Sequence, residues 1–277
     1  MLRLKTNLVV IVFAALVLGG CQTVDNLSST ATRANTANAG QENPGKTKPV
    51  NSSSEKAAST LCQNAYNPIG AALEKKYRVT TSGLPPKEMT ETYRDIGDDS
   101  FVVHSDFAGA QASEVKTDIK WTCTTEGLTP NDFDGNTMQT KNGASGKYET
   151  LKVTGVSIPA EARWRTGEKW NAKYDVKYTM QFPNSQLRAE GDGTVDGAGE
   201  ILGEESVTVP AGTFQALKVR IVTKMNVTVK VNGTSMPNQF SFETLAWFAK
   251  DVGKVKSVNT LAGANVGSTE LLSINNR

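Results

Sequence analysis

Glu204-Glu205-Ser206-Val207-Thr208-Val209, then Pro210-Ala211-Gly212, then Thr213 through Val231 is the stretch that decides the fold. From Leu217 every second residue runs Leu217, Val219, Ile221, Thr223, Met225, Val227, Val229, Val231. Lys218, Arg220, Lys224, Asn226, Thr228 and Lys230 stand between them. Period two, apolar on one face and polar on the other, predicts a half-buried strand in an antiparallel sheet. At ~3.3 Å per residue such a strand runs roughly 50 Å, well beyond ordinary strand length. A strand that long does not stay flat, so the sheet built on it twists and coils.

The flanking sequence repeats the pattern. Trp170, Ala172, Tyr174, Val176, Tyr178, Met180 and Phe182 alternate with polar partners, a second half-buried strand. Phe240, Phe242, Thr244, Ala246 and Phe248 give the apolar face of another. Pro210-Ala211-Gly212, Asn232-Gly233 and Asp251-Val252-Gly253 supply turns. A five-strand meander is expected from Ile201, ending in Lys254–Leu261 and Ser268–Ile274. Upstream, Glu88–Ile96, Ser100–Phe107, Val115–Cys123 and Lys147–Ile158 read as strands, and Tyr77–Thr81 as another. Ala71–Lys76 suits either one helical turn or the lead into that last strand. Thr129–Gly146 reads as a surface loop or loose hairpin, and glycine-rich Gln186–Gly199 as a hairpin. The expected class is all-β: a strongly twisted antiparallel sheet or partly closed barrel with meander connections and little helix. Leu217, Val219, Ile221, Met225, Val227, Phe240 and Phe242 are expected on its inner face, with a two-sheet sandwich as the competing arrangement.

The N-terminus carries a different signal. Arg3 and Lys5 precede an unbroken apolar run, Leu8 to Leu18. Eleven residues are too few to span a bilayer as a helix, which needs about 20, so the run reads as a signal-peptide core. It ends in Leu18-Gly19-Gly20-Cys21, which resembles the bacterial lipobox. That resemblance implies export, cleavage before Cys21, and lipid on Cys21. Gln22 follows the cysteine rather than Asp, which points to the outer membrane in a two-membrane cell. Residues 21–60 hold the lipidated cysteine and a tether rich in Ser, Thr, Asn, Ala and Gly, without aromatics. Such a segment buries too little to order itself, and its reach is roughly 30–40 Å as a random coil. Residues 61–277 then form a single all-β domain.

Charge excludes some partners. The chain has 30 Lys plus Arg and 28 Asp plus Glu. Without residues 1–20, which hold Arg3 and Lys5 and no acid, the balance is even, and no overall field favours nucleic acid. The stripe Lys218, Arg220, Lys224, Lys230 reads as the wet face of the long strand, or more sharply as a contact for anionic lipid or glycan. Once Cys21 is lipidated, Cys62 and Cys123 remain, an even pair that predicts one disulfide in an exported chain.

Several motifs together resemble a bacterial family. Val207-Thr208-Val209-Pro210-Ala211-Gly212-Thr213-Phe214 resembles a motif of a group of bacterial lipoproteins and envelope proteins associated with the TapB-like label. Trp247-Phe248-Ala249-Lys250-Asp251-Val252-Gly253-Lys254-Val255 is similar to its second motif, with Lys254 where the group has a hydrophobic residue. Cys62-Gln63-Asn64-Ala65-Tyr66-Asn67-Pro68 and Gly167-Glu168-Lys169-Trp170 resemble looser motifs. The resemblance implies an all-β envelope protein and supplies no catalytic residue.

Reactive constellations are sparse. His104, the only histidine, alternates with Phe101 and Val103, a sheet-surface position. Two cysteines and one histidine are too few for a zinc site. Asn131, Asp132, Asp134 and Asn136 faintly suggest a calcium loop, but the terminal Glu of an EF-hand is missing. No metal or cofactor is expected. The leading reading is a membrane-anchored, non-catalytic binding or interaction module of the cell envelope, its partner an envelope protein or glycan. A second is a carrier of a hydrophobic ligand lined by Tyr174, Tyr178, Met180, Phe182, Val219, Ile221, Met225, Phe240 and Phe242. The weakest is a hydrolase using paired carboxylates such as Glu204-Glu205 or Asp98-Asp99.

Overall fold

The computed structural model describes residues 61–108, 115–133, 137–139, 145–181, 188–231 and 233–276. Residues 1–60, with Cys21 and the tether, lie outside it, as do Phe182, Asp134 and Asn136. Fourteen strands are described: β1 Leu73–Thr81, β2 Lys87–Arg94, β3 Ser100–Ala108, β4 Val115–Thr124, β5 Gly127–Pro130, β6 Thr137–Gln139, β7 Ser145–Gly155, β8 Ile158–Pro159, β9 Lys169–Gln181, β10 Arg188–Val209, β11 Gly212–Val231, β12 Thr234–Ala249, β13 Gly253–Leu261 and β14 Ala264–Asn276. The described helical content is the 3-10 turn Glu161–Arg163 and the 3-10 residue Phe133. Leu73 onward is strand, which settles the choice left open at Ala71–Lys76.

All fourteen strands belong to one antiparallel sheet, ordered β6-β7-β9-β10-β11-β12-β13-β14-β1-β2-β3-β4-β5-β8. The expected five-strand meander is β10 to β14, and β14 then pairs with β1, so a second meander continues to β5. The sheet is coiled but not closed. Its two ends meet at a seam, because the chain passes from β7 to β8 through Val156 and Ser157 alone. The Val156 N–H donates to Asn171 at the start of β9, and the Ser157 N–H to Leu128 of β5. Adjacent residues thus bond to opposite ends of the sheet.

One expectation fails informatively. Residues 188–199 are not a hairpin but the first half of β10, a 22-residue strand. Gly191, Gly193, Gly197 and Gly199 have a spacing of two or four, so they share the inner face. A Cβ on Gly191 would collide with the Tyr178 ring, and one on Gly199 with the Trp170 indole. These are register partners on β9. Gly191 and Gly199 therefore let the Tyr178 and Trp170 side chains lie across β10, and the Tyr178 hydroxyl reaches the Thr228 carbonyl on β11 at 3.4 Å. Composition had suggested a turn, but close packing is the cause.

The inner face carries the expected core. Leu217 and Val219 pack with Ile201, Ala246 and Phe248 against Tyr93, Phe101, Leu128 and Ile158 from the other end of the coil. Farther along, Met225 and Val227 join Tyr174, Tyr178, Val176 and Met180. Ile221, Phe240 and Phe242 are half-buried beside these clusters. The outer face is also covered at one end. Val207, Val209 and Ala216 near the β10–β11 tip pack with Tyr77, Trp247, Val255 and Leu271, and the Ala211 N–H donates to the Leu271 carbonyl at 3.1 Å. The Val207–Phe214 motif is thus a tip folded back on the sheet.

Candidate functional site

The looser motifs converge on the seam. Where the chain changes sheet ends, backbone groups at residues 156–160 leave the regular ladder and need other partners. Side chains from distant segments provide them. The Asn64 amide and the Trp164 indole both donate to the Pro159 carbonyl, at 2.9 and 3.0 Å. The Trp170 indole donates to the Ser157 carbonyl at 3.1 Å, and the Ser157 and Tyr174 hydroxyls share a bond of 2.9 Å. Burial pushes the Tyr174 hydroxyl pKa up, with the Ser157 bond opposing. These tryptophans and Asn64 therefore satisfy a seam that would otherwise bury bare carbonyls.

The Cys62–Gly70 loop covers this pole. Cys62 is bonded to Cys123 on β4, as the cysteine count predicted, with Cα atoms 5.1 Å apart. The Ala65 N–H donates to Glu161 at 2.9 Å, and the Ala65 carbonyl accepts the Asp251 N–H at 2.6 Å. Tyr66 stacks on Trp164 with centroids 4.4 Å apart and planes 12° from parallel. Trp164 in turn meets Phe248 at 5.1 Å. Burial, then the negative charges of Glu204, Glu161 and Asp251, raise the Tyr66 hydroxyl pKa.

Lys75 lies beneath the loop, and sequence reasoning missed it. It is 1% exposed. Its ammonium donates to the Pro68 carbonyl at 3.3 Å and sits 5.4 Å from the centroid of the Tyr93 ring. Burial lowers it to about 8, with Glu91 opposing and Lys254 adding to the shift. Gly253, at φ +89°, is the glycine of the second motif: a Cβ there would stand 2.9 Å from the Lys75 nitrogen and 3.2 Å from Pro68. The replacement at Lys254 is also explained. Register shifts by one residue on β13, fully buried Val255 takes the apolar slot, and the Lys254 amine lies over the Tyr77 ring at 5.5 Å. No local pattern marks Lys75, because its acceptor, ring and glycine come from three other segments.

Other predicted positions are dispersed. Tyr174, Tyr178, Met180, Val219 and Met225 are buried among other side chains. Two depressions among the described residues are lined by none of the nine predicted ligand positions. One, about 390 Å³, is on the outer face at Asn171, Asp196, Ala198, Val222 and Lys224. The other, about 300 Å³, is at Gln63, Asn64, Thr124 and Glu161 beside the disulfide.

The basic stripe is interleaved with acid. Lys218 pairs with Glu205 at 3.3 Å and Arg220 with Glu243 at 2.6 Å, while Lys224 and Lys230 face Asp196 and Glu190 in register. Opposite charges on neighbouring strands favour the wet-face reading of this stripe. Glu205 also accepts the Trp247 indole N–H at 2.6 Å, which, ahead of Lys218, holds its pKa down. His104 is on the sheet surface as expected. It bonds Asp118 at 2.7 Å, and Asp118 also pairs with Arg94. The His104 bond is the main reason the Asp118 pKa is lowered. No group of three metal-ligating side chains occurs among the described residues.

Comparison with known proteins gives a family. Residues 114–272, more than half of the chain, match the DUF3108-like family, and the chain belongs to it. Both the Val207–Phe214 and Trp247–Val255 motifs fall within this span, whereas the Cys62–Pro68 motif precedes it. No curated protein matches. Among solved structures, an exported protein of YmcC-like fold from Bacteroides fragilis is 13% identical, with a TM-score of 0.46, covering 77% of this chain and 100% of that one. A lipoprotein from Parabacteroides distasonis is 14% identical at a TM-score of 0.39, covering 76% and 99%. The hypothetical lipoprotein YmcC from Escherichia coli is 11% identical at 0.30, covering 72% and 83%.

Proposed function

Starting from a DUF3108-like chain with a sealed pole, we propose an exported, lipid-anchored β-domain that serves as a non-catalytic binding module of the cell envelope. The observation that carries the anchor is the cysteine arithmetic. The chain has three cysteines; Cys62 and Cys123 bond each other, leaving Cys21, at the end of Leu18-Gly19-Gly20-Cys21, for acylation. Gln22 directs the anchored form to the outer membrane of a two-membrane cell. The TapB-like resemblance belongs to the same reading.

Support for binding rather than catalysis comes from how the motif residues are used. Asn64, Trp164 and Trp170 bond the seam, and Gly253 makes room for Lys75 and Pro68. Half-buried Phe240 and Phe242 beside the inner cluster favour one second reading, a carrier of a hydrophobic ligand. Mass spectrometry of protein extracted from its own membranes tests both. Loss of residues 1–20 with acyl chains on Cys21 is expected, and a mature terminus elsewhere refutes the anchor. A further lipid retained by the folded domain under native conditions transfers the assignment to the carrier.

A further inference from the structure

Lys75 is a charged group buried where burial is costly, and among the described residues its acceptor is a carbonyl on a loop rather than on the sheet. That loop carries no ladder pairing of its own. It is held by the disulfide at one end, by the Asn64, Ala65 and Asp251 bonds, and by the Tyr66–Trp164 stack. We propose that the segment after Cys62 is a latch over the pole, and that the charge of Lys75 sets its balance: the ammonium biases it open, the neutral amine biases it shut. An open latch gives the amine water and bares the Trp164 face on which Tyr66 stacks. The inference is independent of the envelope reading.

The sign follows from linkage. The amine titrates near 8 when the latch is shut, against an ordinary value of 10.5 when solvated. The shut form therefore binds the proton less well, and protonation favours opening. Glu91 and Tyr93 from β2 and Lys254 from β13 face the amine; the other titratable groups on the elements around it are Tyr77 of β1, Tyr66 of the loop and Asp251 of the β12–β13 turn, whose N–H bonds the loop. Burial holds the hydroxyl pKa values of Tyr77 and Tyr93 above their ordinary 10.0, so both stay neutral below pH 10. The Lys75 window is thus pH 8 to 10.

Chymotrypsin cleavage after Tyr66 measures opening when reclosing outpaces cleavage. The rate is normalised at each pH to a free peptide spanning residues 61–72, and cleavage after buried Phe248 reports global unfolding. In the wild type the normalised Tyr66 rate is expected to fall about tenfold per pH unit between pH 8 and 10 and to be level below 8. It should exceed the Phe248 rate throughout. Lys75→Met should show no slope and cleave more slowly at pH 7. A flat wild-type profile, the same slope in Lys75→Met, or equal rates at Tyr66 and Phe248 would overturn the latch. If Lys75→Met does not fold, the wild-type slope and the two-site comparison decide the matter.

Discussion

Gly199→Ala and Gly197→Ala make a matched pair on one face of β10, and their effects are expected to have opposite signs. At Gly197 a new Cβ meets only the Ala172 carbonyl, at 3.7 Å, an ordinary contact. Replacing a strand glycine there removes unfolded-state freedom and should stabilise by about 0.5–1 kcal/mol. At Gly199 the same atom enters the Trp170 indole. The ring must move, and its bond to the Ser157 carbonyl goes with it. Losing that bond costs roughly 1 kcal/mol, and overpacking adds about 1–3 kcal/mol. Set against the backbone gain, the net loss is about 1–3.5 kcal/mol. Urea unfolding followed by tryptophan fluorescence, with the disulfide intact, measures both. Equal stability of the two variants would refute the idea that Gly199 makes room for the Trp170 ring.

Three further outcomes are expected. Cys62→Ser with Cys123→Ser opens a 61-residue separation and should cost about 4 kcal/mol by the chain-entropy model, read as a fall in the urea midpoint. Lys75→Met should raise stability at pH 7 by up to about 3 kcal/mol, the equivalent of the lowered amine pKa. The gain should shrink from pH 8 toward 10.5, because the wild-type amine is then neutral in both states; unfolding curves at pH 7 and pH 9.5 check this. Trp170→Phe removes the indole donor to Ser157, while Trp164→Phe leaves Pro159 with the Asn64 amide. The first should therefore cost about 1–3 kcal/mol and the second less, by thermal or urea unfolding.

Legibility in the sequence followed the range of the forces involved. The alternation from Leu217 to Val231 was readable because a half-buried strand writes its two environments into adjacent residues. The same logic found the β9 face and the meander. It failed at residues 188–199 because a glycine reads alike whether it supplies a turn or makes room for a ring. The even spacing of Gly191, Gly193, Gly197 and Gly199 was the available clue, but Trp170 and Tyr178 are needed to interpret it. The pole was legible only in pieces. Cysteine parity gave the Cys62–Cys123 bond, whereas Lys75 looked like any lysine. Its burial depends on Pro68, Tyr93 and Gly253, which the sequence separates and only the register of β1, β2 and β13 brings together.

An open sheet must still deal with its edges. The terminal strands are β6 and β8, three and two residues long, too short to template another strand. Among the described residues, pairing of β12 with β13 runs from Phe242 to Ala249, and the first half of β12 has no described strand on that side. The chain interrupts it with Pro237, which faces Thr228 on β11. Counted from the Val231–Thr234 pair that closes the hairpin, odd residues of β12 turn their backbone groups away from β11. Pro237 therefore places its missing N–H on the free side, where a proline blocks strand addition at no cost to the ladder. Strand addition is discouraged at both short ends and at this longer edge. Under the proposed binding role, the faces and loops of the domain, rather than its strand edges, are what remain for a partner.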